Sequence, residues 1–120
     1  MGSIRGAFES ALVDWESKLA SDEWYFAKVR DSIIHDDLQT AQAFEGMAEI
    51  AELLLTQEDG FLVTETMVLL LDLARYVNTT ELPAGLAGLM ASLDSHVARF
   101  GEHPRQQMEE LRRWFRVGAT

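Results

Sequence analysis

The chain has no cysteine and only two prolines in 120 residues. The missing thiols exclude a disulfide framework, a cysteine-ligated zinc site and a cysteine nucleophile together. They are compatible with a reducing compartment, and a cytoplasmic location is the expectation. Long apolar runs are also missing. The longest, Met67–Leu71, stops at Asp72, far short of the roughly 20 residues that a bilayer span needs. The opening MGSIRGAFES has no apolar signal core, and Gly6 stands where a myristoylation motif requires Ser or Thr. Residues 1–3 read as an expression scar, and no membrane partner is expected.

The most informative absence is of positive charge. No Lys or Arg occurs between Arg30 and Arg75. Residues 1–30 carry five acids and four bases, residues 31–74 carry ten acids and no base, and residues 75–120 carry five acids and six bases. The net charge of −10 therefore belongs almost wholly to the middle third. Such a balance disfavours nucleic acid and anionic lipid as partners, since both are bound by neutralising phosphates with cations.

What is present is helical periodicity. At 48% apolar, the composition is that of an ordered globular chain, and its length fits one domain, 1–120. Ile4, Phe8, Leu12, Trp15 and Leu19 recur at four, four, three and four, a helical stripe with Ser3 placed to cap it. A second start, Ser21–Glu23, opens a less regular helix through Trp24, Ala27 and Ile33. Asp36 or Asp37 is placed to cap a long helix running to about Thr56, which Gly60 would end in a left-handed conformation. A further helix over about Val63–Val77 stops at Asn78. Thr80 and Pro83 then begin one carrying Leu86, Leu89, Leu93, Val97 and Phe100, closed by Gly101, and the last starts with Pro104 at its first position. The pattern predicts an all-α fold, a compact antiparallel bundle of five or six helices, with a HEAT-like stack of helical hairpins as the alternative. No useful strand alternation appears.

On the long helix, Asp37, Glu45, Glu49 and Glu52 fall near one line, because offsets of eight, twelve and fifteen return to a similar azimuth. Like charges four apart cost an isolated helix about 0.2–0.5 kcal/mol each. Glu58, Asp59, Glu65 and Asp72 follow in sequence. Three explanations fit the stripe: a solvated face, an intramolecular counter-charge supplied by Arg105, Arg112, Arg113 and Arg116, or a docking surface for a basic partner.

Other constellations carry less. His35, Asp36 and Asp37 are consecutive, so on a helix they diverge by about 100° steps and read as capping residues. Neither Glu-x-x-His pairs nor a nucleophile elbow, phosphate loop or dinucleotide turn occurs, so no metal, cofactor or catalytic residue is assigned. His96 reads as a core-edge residue near a helix C-terminus. Ala84, Gly88 and Ala91 form a small-residue stripe that predicts close packing within the chain or a homodimer seam. Trp15, Trp24, Tyr25, Tyr76 and Trp114 read mostly as core or core-edge, and any one exposed beside the acidic stripe would be a candidate anchor for a partner.

The expected function is a non-enzymatic module whose acidic face, Asp37, Glu45, Glu49, Glu52, Glu58 and Asp59, masks a basic protein. Its most concrete form is a bacterial immunity or antitoxin-like inhibitor of a toxin. A small acidic secretion chaperone for an effector, or a homodimeric regulatory module joined through Ala84, Gly88 and Ala91, are the alternatives.

Overall fold

The computed structural model describes residues 3–35 and 38–116, and among these it is all-helical with no strand. The helices are α1 (Ile4–Leu12), α2 (Trp15–Ser21), α3 (Tyr25–Ile33), α4 (Thr40–Leu55), α5 (Gly60–Val77), α6 (Ala84–Ala87), α7 (Met90–Ala98) and α8 (Glu102–Phe115). The expected number, five or six, is corrected to eight among the described residues, because two stripes that read as continuous helices are each broken once.

The first break follows Leu12. Val13 is extended and Asp14 takes φ 56°, a left-handed conformation that Asp tolerates better than most side chains. The bend lets α1 follow α4 while Trp15 turns aside to stack on Phe61, with ring centroids 5.3 Å apart, and to meet Phe26 at 6.1 Å. The second break falls at Gly88 and Leu89, where the Leu89 N–H donates to the Leu86 carbonyl three residues back and tightens the chain into a turn. Leu86 and Leu93, one on each side, are both fully buried.

Several helix ends differ from expectation for local reasons. Ser3 caps α1 as expected, its Oγ accepting from the Gly6 N–H at 2.9 Å. Asp36 and Asp37 lie outside the described residues, and α4 begins after Gln39, whose N–H donates to Gln42 Oε1 at 3.4 Å. Gly60 is not left-handed. It is the first residue of α5, and Asp59 caps that helix by accepting from the Phe61 and Leu62 N–H groups at 2.9 and 3.1 Å. Asn78 ends α5 at φ 56°, as expected. Pro83, not Thr80, precedes α6, and Pro104 sits in the first turn of α8 but two residues after its start.

The core is centred on α4 and α5, which pack along one another. Helix α1 lies on α4 and α3 lies on α1; α6 and α7 also touch α4, and α8 joins α5 to α7. Met47, Ile50 and Leu54 of α4 meet this core together with Met67, Leu70 and Leu73 of α5, all without solvent exposure. Fully burying such side chains stabilises by roughly 1.5–3 kcal/mol each. The radius of gyration, 13.7 Å, matches the about 13.6 Å expected of a compact chain of this length. His96, 8% exposed, ties α7 to the α4–α5 link, since its Nε2–H donates to the Gln57 carbonyl at 2.8 Å. No helix among the described residues is long and apolar enough to cross a membrane.

Gly101 precedes α8 at φ 102°, ψ −171°, a region essentially reserved for glycine. A side chain there would meet no neighbour within 4 Å, so any cost is conformational and not steric crowding by the rest of the fold. Gly101→Ala is therefore expected to lower the unfolding free energy by about 1–3 kcal/mol in urea titrations; an unchanged midpoint would show that the α7–α8 turn relaxes freely.

Candidate functional site

The acids of the middle segment divide into two groups once the fold brings arginines against them. Arg30 of α3 places Nη1 2.5 Å from Glu65 Oε2 and Nε 3.7 Å from Asp72 Oδ2, both on α5. The Arg30 and Glu65 side chains are 18% and 19% exposed, so this pair is shielded enough to matter more than a surface ion pair. Arg75 bonds Asp72 at 3.3 Å and also binds Glu110 of α8. Arg99 Nη2 donates to Glu58 Oε2 at 2.7 Å. Glu58 and Asp59, expected on the binding face, are thus engaged within the fold, one as an ion pair and one as a helix cap.

The four arginines near the C-terminus do not answer the stripe. Among the described residues Arg112 pairs with Asp94 at 2.5 Å and Arg105 with Glu102 at 3.8 Å, and none of the four pairs with α4. The cation that does reach α4 is Arg5, whose Nη1 lies 3.8 Å from Glu52 Oε2 while its Nε donates to Glu9 at 3.2 Å. Asp37 lies outside the described residues. Of the middle segment, Asp31 on α3 and Glu45 and Glu49 on α4 remain, and among the described residues none of the three has a side-chain hydrogen bond or ion pair.

Glu45 and Glu49 form one wall of a groove between α1, α3 and α4, with a volume of about 490 Å³. Its geometry follows from side-chain size. Ser3, which caps α1, and Ala7 and Ala11 within it line the groove at four-residue spacing, while Phe8 enters the core and Ile4 is buried between the two. Small residues on one edge leave a depression. Ile4, Val29, Ile33 and Gly46 also line it, and the α3–α4 link adds His35 and Leu38. A Cβ on Gly46 would stand 2.6 Å from Ile4 Cδ1 and 3.3 Å from Ile4 Cβ, so α1 and α4 approach closely there and a larger residue would have to displace Ile4. The link is held by Tyr76, whose hydroxyl donates to the Leu38 carbonyl at 2.6 Å and lies 3.2 Å from that of His35.

The remaining expectations are placed elsewhere. Ala84, Gly88 and Ala91 are all exposed, and the break divides them between α6, the turn and α7. The close approach of this region is made by Gly85, where a Cβ would lie 3.0 Å from Ala48 Cβ. Trp24 is 64% exposed, but it precedes α3 and stands at the opposite end of that helix from groove residues Val29, Ser32 and Ile33. Among the described residues no three His, Asp or Glu side chains converge to hold a metal ion. Sequence reading missed Arg5 and Arg30 as the internal counter-charges. It also missed the line Ser3, Ala7, Ala11, a visible signal that α1 keeps one small face.

Asp72 carries an electrostatic signature of its position. Burial raises its carboxyl above the ordinary value of 3.8, and attraction to Arg30 and Arg75 offsets only part of that. A folded-state value above the unfolded one means that the native state holds this proton more tightly. The contribution therefore favours folding below the unfolded value and is lost as pH rises through the folded one. Asp72→Asn is expected to gain stability relative to the wild type between about pH 3 and pH 7 in urea unfolding; a relative loss over that interval would mean that the arginines outweigh burial. In comparisons with known proteins, no protein-family model, no curated protein and no solved structure matches this chain.

Proposed function

We propose that the protein is a non-enzymatic binding module that masks a basic segment of another protein at the groove walled by Glu45 and Glu49. One observation carries the reading: among the described residues the fold pairs or caps with Glu52, Glu58, Asp59, Glu65 and Asp72 and leaves these two carboxylates without a side-chain partner, one helical turn apart on the lining of a groove. Their mutual repulsion costs the helix about 0.2–0.5 kcal/mol. An incoming Lys or Arg removes that cost and gains attraction, so the pair favours a cation on another molecule.

Of the six residues expected on the acidic face, Glu45 and Glu49 carry this reading, Glu52 is shared with Arg5, Glu58 and Asp59 are engaged within the fold, and Asp37 lies outside the described residues. The concrete form we favour is an immunity or antitoxin-like inhibitor that occupies a basic active site of a toxin. A secretion chaperone for a basic effector would use the same surface chemistry. In either case an antiparallel bundle around α4 and α5 would serve as the rigid support, since sites carried on helices hold their geometry better than sites on loops. A homodimer joined through Ala84, Gly88 and Ala91 is not adopted, because the break after α6 splits that face.

The test is capture from a lysate of the source organism at low and high salt, with wild type and Glu45→Lys/Glu49→Lys as baits. The reading expects a basic protein retained by wild type, released by salt and lost from the variant, with helicity by circular dichroism unchanged. Equal retention by both baits at low salt would sink it.

A further inference from the structure

We propose that the contact between α7 and the α4–α5 link is a proton-operated latch, closed while His96 is neutral and opened when its ring takes up a second proton. His96 and Arg99 form one side of it, Gln57 and Glu58 the other.

The partners of the ring fix its state. His96 Nε2 lies 2.8 Å from the Gln57 carbonyl oxygen, and Nδ1 lies 3.4 Å from Arg99 Nη1. A carbonyl only accepts and a guanidinium only donates, so Nε2 carries the hydrogen and Nδ1 offers its lone pair. One neutral tautomer satisfies both contacts. Adding a proton turns Nδ1 from an acceptor into a donor, so the ring loses the Arg99 bond and sets one positive charge against another.

The other groups around the ring are already committed. Arg99 Nη2 donates to Glu58 Oε2 at 2.7 Å, so this carboxylate can serve a charged His96 only by leaving Arg99. Asp59, the next residue of the link, accepts from the Phe61 and Leu62 N–H groups. From α8, Arg112 reaches α7 at Asp94, two residues before His96 and so about 200° around the helix. Helix α4 brings Leu55 beside the imidazole, and the Phe100 ring stands 5.2 Å from it. The last carbonyls of α7 favour a cation, and Arg99 supplies one there before His96 is charged. In every arrangement, protonation breaks a contact that closes the latch.

The link is also primed to open. Gln57 is 7% exposed, yet among the described residues neither its carboxamide Nε2 nor its Oε1 has a hydrogen-bond partner. Burying such a group unpaired is unfavourable, and exposure to water relieves it. Neutral His96 therefore holds in place a segment whose own side chain favours release. Opening of a short link is a local event that leaves the α4–α5 core intact.

The experiment compares wild type, Arg99→Gln and His96→Gln by NMR at about pH 7.5 and about pH 5, a range across which histidine changes charge. Ring nitrogen shifts report the His96 tautomer. Hydrogen exchange reports the Gln57 amide, whose N–H donates to the Leu54 carbonyl at 3.1 Å, as protection relative to an unstructured amide at the same pH. The Arg99 side chain is 56% exposed, so glutamine there removes the cation without disturbing the core. The proposal expects the Nε2–H tautomer at the higher pH. On acidification it expects Gln57 protection to fall about tenfold in wild type, the loss of one hydrogen bond to a charged group, and less than about twofold in either variant. Other titrating groups, Asp72 among them, are common to all three proteins and cancel in the comparison. An Nδ1–H tautomer, a wild-type protection that does not fall, or an equal fall in Arg99→Gln overturns the latch. Arg99→Gln decides the outcome by itself should His96→Gln fail to fold.

Discussion

A central helix pair containing a long segment without one basic residue must import its counter-charge, and this requirement organises much of the structure. Helices α4 and α5 supply the middle of the core, yet every cation that neutralises their acids comes from outside residues 31–74. Arg30 from α3 meets Glu65 and Asp72, Arg75 at the end of α5 bridges Asp72 to α8, Arg99 after α7 reaches Glu58, and Arg5 from α1 reaches Glu52. The same contacts that neutralise the pair also tie α1, α3, the end of α7 and α8 to it. Most of these are exposed pairs that contribute little individually. The Arg30–Glu65 pair differs, because removing either member would leave a half-buried charge uncompensated.

Much of this was legible in the sequence. Helical periodicity placed Phe8, Leu86 and Leu93 on apolar stripes, and all three are fully buried. Ser3 and Asn78 were readable as helix ends because their chemistry is local. The two breaks were not readable, because apolar spacing continues through Asp14 and through Gly88. What interrupts the first helix is tertiary: Trp15 must reach Phe61 and Phe26, whereas α1 must stay against Gly46. Asp59 and Gly60 show the opposite failure. A residue pair that could end one helix or begin the next is settled only by which helix needs the cap.

The candidate site was half legible. The acidic line on α4 followed from helical geometry, but its division into used and unused acids depends on arginines distant in sequence. Glu58 and Asp59, adjacent to the stripe in sequence, are taken by Arg99 and by the N-terminus of α5. The groove needed three helices to exist, and only the small face of α1 foreshadowed it. A surface that leaves two like charges one turn apart on one helix without a counter-charge is a poor choice for stability alone, which is why the binding reading attaches to Glu45 and Glu49 and not to the protein's overall acidity.

That division of the acids can be tested without any partner. Urea unfolding of Glu49→Lys and Glu58→Lys compares a carboxylate the fold does not use with one it does. The account predicts that Glu49→Lys raises stability by about 0.2–0.5 kcal/mol, by replacing a repulsive pair with an attractive one, and that Glu58→Lys lowers it by placing a cation against Arg99. Equal changes in both variants, or a loss in Glu49→Lys as large as in Glu58→Lys, would contradict the claim that Glu45 and Glu49 stand free for a ligand.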